Sequence, residues 1–138
     1  MIILDTNVIS EPMKPGANPA VQSWLDQQYA ETLFVTTTSL AELFCGIEIM
    51  PAGKRKEGMA LALADLLAML FGPRILPFDQ AAALAYAPLI GRARAHGRTI
   101  AVADGQIAAI AKVHGFVVAT RDTTPFVAAG IEVINPWE

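Results

Sequence analysis

Apolar and polar positions along the chain follow two periods, short β-branched runs and longer stretches with helical spacing. Ile2-Ile3-Leu4 is an apolar run stopped by Asp5-Thr6-Asn7, the pattern of a strand buried on both faces with polar groups at its C-terminal end. A Pro/Gly loop follows over residues 12–16. Asn18-Pro19 then supplies an N-cap with proline at the first helical position, opening a helix through Trp24 and Leu25. Residues 33–36 predict a second strand. Ser39, with Glu42 three residues on, has the form of a capping box and predicts a helix with Leu40, Leu43, Phe44 and Ile47 on its apolar face.

Lys54-Arg55-Lys56 opens a longer helix to Leu70, which Gly72-Pro73 ends, and residues 75–76 predict a brief strand. Asp79 caps a helix over residues 80–96, bent at Pro88 and closed by Gly97. Residues 99–102 fit strand or loop, and Asp104 begins a helix over 106–114 that Gly115 ends. Residues 116–119 predict a strand leading into Thr120-Arg121-Asp122, followed by a short helix near Phe126 and a last strand at 131–134. Short strands alternating with longer helices indicate an α/β fold, a parallel sheet wrapped by helices on both faces. No repeat, linker or low-complexity tract interrupts the pattern, so one domain over residues 1–138 is expected.

Composition narrows the picture. Of 138 residues 54% are hydrophobic and 17% charged, against about 25% charged in an average globular protein. That excludes disorder and a solvated coiled coil, and it predicts that another chain covers part of the surface, in an oligomer or with an obligate partner. Ten Lys and Arg against thirteen Asp and Glu leave a net charge of −3, so nucleic acid would have to be bound by a local patch. The lone Cys45, in the apolar stretch 40–50, excludes a disulfide scaffold and a cysteine-rich metal site and fits a reducing cytoplasm. The start has no basic region before Asp5, and no apolar run reaches the ~18 residues of a membrane span. A cytoplasmic location without membrane contact is expected.

Ligands of parallel α/β sheets bind outside the carboxyl ends of the strands, which points to Asp5 and Asp122, each directly after an apolar strand. Thr6 and Asn7 flank the first, Thr120 and Thr123 the second. Glu42 opens the helix after the second strand and should face the same edge; Asp104 opens the helix before strand 116–119 and is expected to join them. Four converging carboxylates would repel by about 4 kcal/mol per pair at ~4 Å with an effective dielectric near ~20. Such a cluster requires a cation. No His adjoins these acids, so the donors are all oxygen, which selects Mg²⁺ or Mn²⁺ over Zn²⁺. An ion of that kind polarises a phosphodiester and activates water, so metal-assisted phosphodiester hydrolysis is the inferred reaction class. Plainer readings stay open: Glu42 and Asp104 as helix-cap residues, worth about 1 kcal/mol each, and Asp5 and Asp122 as turn initiators. Asp79 reads as an N-cap and Asp65 as solvent-facing.

The stretches 4–10, 39–43, 103–109 and 119–123, with Asp5, Glu42, Asp104 and Asp122 at their centres, closely resemble the PIN-domain ribonucleases. They look most like the VapC toxins of bacterial type II toxin-antitoxin pairs. Within these, the start Asp5-Thr6-Asn7-Val8-Ile9-Ser10-Glu11-Pro12 and the end Asn135-Pro136-Trp137 are similar to the FitB-like branch. The resemblance covers essentially the whole chain and implies a PIN-like three-layer α/β/α fold with a short-stranded central parallel sheet. It implies an acidic pocket of Asp5, Glu42, Asp104 and Asp122, with Asp5 and Asp104 as direct or water-mediated Mg²⁺ ligands and Thr120, Thr6 and Asn7 in support. It further implies an RNA substrate, a homodimer, and a cognate VapB/FitA-like antitoxin that blocks the site and alone carries DNA binding.

Few basic residues flank the expected pocket. Arg121, beside Asp122, is the best placed to meet phosphate; Arg92, Arg94, Arg98, Lys112 and Lys54-Arg55-Lys56 are further candidates, the last also reading as a solvated helix start. His96 and His114 suit helix C-termini. Trp24, Phe44, Met50, Leu67 and Leu70 are expected in the core or on partner-covered surface, and residues 59–71 should supply dimer or antitoxin contact. A signalling receiver domain would need an acidic pair after the first strand and a late lysine, where Asp5 stands alone and Asp122 follows the late strand. A dehalogenase-type phosphatase would need a second Asp at Asn7. A catalytically silent PIN-fold partner of a DNA-binding antitoxin, acting in transcriptional autoregulation, stays open.

Overall fold

The computed structural model describes residues 1–70 and 72–138. Phe71 and the Leu70 side chain, and the expectations placed on them, lie outside the described residues. Five strands form one parallel sheet: β1 (Ile2–Leu4), β2 (Leu33–Thr36), β3 (Ile75–Leu76), β4 (Val117–Ala119) and β5 (Val133–Ile134), in the order β3-β2-β1-β4-β5. Between them run α1 (Thr6–Ser10), α2 (Pro19–Asp26), α3 (Thr37–Glu48), α4 (Lys54–Leu70), α5 (Gln80–Ala95), α6 (Val102–His114) and α7 (Thr124–Ala128). Ile3 of the central strand stands opposite Phe34 on one side and Val118 on the other.

Alternation along these short strands makes the three layers. Ile3, Leu76 and Val118 point to one face and pack with Leu89, Ile107, Ile110 and Phe126 from α5, α6 and α7. Their neighbours Leu4, Val35 and Ala119 point to the other and pack with Val8, Ile9, Leu43 and Leu63 from α1, α3 and α4. A central strand apolar on both faces is what helices on both sides require. Among the described residues, no helix is long and apolar enough to cross a membrane.

Several local expectations are corrected. The Asp5-Thr6-Asn7 triplet starts a helix: the Asp5 carboxylate accepts the Thr6 N–H at 2.8 Å and its carbonyl accepts the N–H groups of Val8 and Ile9. Thr36, not Ser39, caps α3, its hydroxyl accepting the Ser39 N–H at 3.1 Å. Glu42 is thereby moved to the second turn, and the capping box does not form. Residues 99–101 are loop, and α6 begins at Val102, two residues before Asp104. Phe116, Ile131 and Glu132 precede their strands. Asp79 caps α5 as anticipated, bonding the Ala82 N–H at 3.0 Å, and Pro88 lies inside that helix. Phe44 is 51% exposed, while Trp24, Met50 and Leu67 are half-buried.

Candidate active site

The chain adds strands outward from β1 to β3, then returns to β4 and β5 on the other side. The β1–β4 boundary is therefore the switch point of the sheet, where a crevice opens at the carboxyl ends. Asp5 follows β1 and Thr120 follows β4, and the ladder carries both to that edge: the Asp5 N–H donates to the Ala119 carbonyl at 2.9 Å. α3 leaves β2 without a loop, so Glu42 rises from the same edge. α6 enters β4 through the left-handed Gly115, φ 69°, so its start lies a helix length above, at that edge too.

A chain of hydrogen bonds joins the groups. The Thr6 hydroxyl donates to Glu42 Oε1 at 2.7 Å, and the Thr120 hydroxyl donates to Asp5 Oδ2 at 2.8 Å while accepting the Asp122 N–H at 3.0 Å. Asn7 Oδ1 accepts the Arg121 N–H at 3.3 Å. Asp5 and Thr120 are buried; Asp104 is half-buried; Glu42, Arg121 and Asp122 are exposed. The Arg121 guanidinium stacks over the Trp137 ring, 5.4 Å from its centroid.

Two of the four carboxylates, Asp5 and Asp104, feel burial and the charges of the other acids. Burial raises the Asp5 carboxyl above 3.8; the Thr120 hydroxyl and the Thr6 N–H oppose the rise, and the charges of Glu42 and Asp122 add to it. Burial, then the charges of Asp5, Asp122 and Glu42, push the Asp104 carboxyl from 3.8 up to about 6. A helix N-terminus alone would move Asp104 the opposite way. The cap reading of Glu42 loses its support, since Glu42 lies in the second turn of α3 and accepts a side-chain hydroxyl from α1, whereas Asp104 does stand in the first turn of α6.

Residues 2–131 match the family model for the PIN domain. The chain belongs to the PIN-domain family. This PIN domain is 49% identical over 138 residues to the VapC ribonuclease Y4jK of Sinorhizobium fredii, covering 100% of this chain and 99% of that one. It is 47% identical over 137 residues to the toxin FitB of Neisseria gonorrhoeae, covering 99% of each. The solved structure of FitAB bound to IR36 DNA fragment superposes with a TM-score of 0.94 at 45% identity, covering 100% of this chain and 96% of that one. Its branch within the PIN domains is that of VapC and FitB.

Four structural supports of this PIN-domain edge escaped the sequence reading. Thr36 and Ser39 are buried under the start of α3. The Thr38 hydroxyl donates to Gln106 Oε1 at 3.0 Å and ties α3 to α6. Gly105, beside Asp104, lets α6 approach α5 so closely that a Cβ there would lie 2.8 Å from Tyr86 Cε2; a lone glycine inside a helical pattern was its signal. The buried Glu11 accepts the Asn18 N–H at 3.0 Å and pairs with Lys14 at 3.3 Å.

Among the described residues, no three His, Cys, Asp or Glu side chains form a ready-made metal cage. The donors that meet here are carboxylate and hydroxyl oxygens; the charges of neighbouring acids raise the proton affinity of Asp5 and of Asp104, and one cation would relieve that repulsion. An open acidic rim of this kind fits a hydrated divalent ion, which keeps several waters and needs only one or two carboxylates. A larger apolar groove, about 440 Å³, lies on the other side of α1 between α2 and α4, lined by Val8, Met13, Leu25, Leu66 and Met69. It holds none of the four acids.

Proposed function

We propose that this chain, as one PIN-like domain over residues 1–138, is a cytoplasmic, Mg²⁺-dependent endoribonuclease in which Mn²⁺ can substitute. It hydrolyses RNA phosphodiester bonds as the toxin of a type II toxin-antitoxin pair. The observation that carries this reading is the gathering of the acids at one sheet edge, where burial and the charges of Asp5, Asp122 and Glu42 push the Asp104 carboxyl up to about 6. Asp5 and Asp104 would hold the ion, directly or through water, with Asp122 and Glu42 completing the acidic shell. When bound, the ion supplies an activated water and offsets negative charge on the phosphate.

The remaining steps belong to the side chains. Thr120, donating to Asp5 at 2.8 Å, keeps that buried carboxylate aimed out of the sheet. Thr6 fixes Glu42. Without the ion the Asp104 carboxyl sits near 6, so a proton and the cation would compete for it. Asn7 and Arg121 flank the substrate path, Asn7 holding the Arg121 backbone. The partner is a VapB/FitA-like antitoxin through which alone DNA is reached, a reading supported by the FitAB structure with DNA. The active form is a homodimer, and the apolar groove beside α4 suits an antitoxin segment.

The test is incubation of the purified chain with total RNA and mapping of the cut ends. Cleavage is expected with Mg²⁺, loss on adding excess EDTA, and recovery with Mn²⁺. A rate indifferent to chelation rejects the metal mechanism, and cleavage kept in both Asp5→Asn and Asp104→Asn rejects the site.

A further inference from the structure

Asp104 and Asp122 also line a cleft of about 290 Å³ that neither Asp5 nor Glu42 lines. Its walls include Arg98, Thr99 and Thr124. The volume is close to the lower end of ligand-sized cavities, and its chemistry is mixed: two carboxylates, a guanidinium and hydroxyls. Arg98 is exposed. Among the described residues the one ion pair is Lys14–Glu11, so no carboxylate neutralises Arg98 even with two acids lining the same cleft.

The backbone that carries Arg98 is closely defined. α5 ends in a Schellman turn: the Gly97 N–H donates to the Arg94 carbonyl at 2.9 Å and the Arg98 N–H to the Ala93 carbonyl at 2.8 Å, with Gly97 at φ 72°. α6 begins a few residues later and carries Asp104, and Gly105 seats it against Tyr86 and Ile90 of α5. Arg98 and Asp104 therefore stand on one packed helix-helix corner at a fixed separation. Arg121 differs, its guanidinium being occupied by the Trp137 ring.

We infer that this cleft seats the nucleotide next to the scissile bond, with Arg98 binding its phosphate and the Thr99 and Thr124 hydroxyls bonding phosphate or ribose oxygens. This rests on the ribonuclease reading and adds to it a substrate-binding residue and a seat for the flanking nucleotide. The guanidinium in the cleft wall holds the flanking phosphate while the scissile one meets the acids. Such contacts carry no base information, so Arg98 governs affinity for single-stranded RNA and leaves the choice of cut site alone.

The experiment measures binding of short, fluorescently labelled single-stranded RNA to the full chain in an Asp5→Asn background across a salt series, beside cleavage by the otherwise unaltered protein. Arg98→Ala is expected to raise Kd about tenfold and to flatten the slope of log K against log salt by about 0.7, one phosphate contact on a single strand. Arg98→Lys should recover the slope and part of the affinity, and an unchanged melting curve shows that the fold is intact. Binding and slope unchanged in Arg98→Ala overturn the inference, whatever the cleavage result. If the unaltered protein cuts no RNA while Arg98→Ala still weakens binding, the subsite stands and the ribonuclease reading falls; no RNA binding by the Asp5→Asn parent overturns both.

Discussion

Asp104 occupies a helix start, where the backbone dipole favours a carboxylate, yet burial and three acidic neighbours hold its carboxyl up at about 6. Between 3.8 and about 6 the folded state binds this proton more readily than the unfolded chain does. A raised carboxyl therefore destabilises the metal-free protein above about pH 6, and stability recovers as pH falls from 7 towards 4. Solvent reaches the half-buried group, and screening leaves about 1 kcal/mol of the effect. Asp104→Asn should melt about 3 °C higher than its parent at pH 7 in EDTA, lose this pH dependence, and cleave RNA at least ~100-fold more slowly. Calorimetry across pH checks the first two; a lower melting point would reject the repulsion account. Thr120 offers the converse case. Thr120→Val leaves Asp5 Oδ2 and the Asp122 N–H each without a partner, at about 1–3 kcal/mol, and lets the Asp5 carboxyl rise further. Urea unfolding should show the loss, the acid limb of the pH-rate profile should shift upward, and Thr120→Ser should restore both. The places of Asp5 and Asp122 beside strand ends and of Asp104 in a helix's first turn were legible in the chain, while Glu42 stands a turn further in than its capping-box reading put it. Thr36 was not legible, because Thr36-Thr37-Thr38-Ser39 presents four consecutive hydroxyls able to cap, and only the strand's length selects the first.

The sequence pattern missed one short helix and overran one short strand. α1 spans Thr6–Ser10, too few residues for a helical period to be visible, and it owes its existence to the Asp5 cap and to Val8 and Ile9 burying under the sheet. β5 holds only Val133 and Ile134, so its apolar run reads longer than the paired segment. The long elements were plain from the chain: α4 covers Lys54–Leu70 and α5 opens at the Asp79 cap, both as expected. On α4, Leu61 is 68% and Met69 57% exposed, which keeps the expectation of partner contact on that helix alive. Contact between α5 and α6 is the joint that aims Asp104, and it depends on Gly105. Gly105→Ala brings a methyl 2.8 Å from the Tyr86 ring, so the helices must part or the ring must move, destabilising by about 1–3 kcal/mol. Cleavage should fall by more than the loss of stability explains. Substituting Tyr86 by Leu in the same chain should recover part of both, as read by urea unfolding and initial rates.

At the scale of the whole molecule, the layers follow from alternation along strands whose two faces are both apolar, a pattern visible in the chain. Strand order is not: nothing in Ile2–Leu4 says that its neighbours are Leu33–Thr36 and Val117–Ala119, and the order came within reach only through likeness to a known family. That order makes β1 depend on β4. A chain stopped at residue 116 would keep β1, β2 and β3 but lose Val118 and Phe126 from the core beneath Ile3, together with Thr120 and Asp122. It should show no cooperative urea transition where the full chain shows one, and no cleavage.

The hydrogen bond between Asp5 and Thr120 spans 115 positions of sequence. A ribosome adding about 5–20 residues per second therefore works for on the order of ten seconds after Asp5 has been joined before its partner exists. On the ribonuclease reading, a nascent polypeptide that has not reached Thr120 cannot attack the messenger that encodes it: the blade is closed only once the fourth strand has been made.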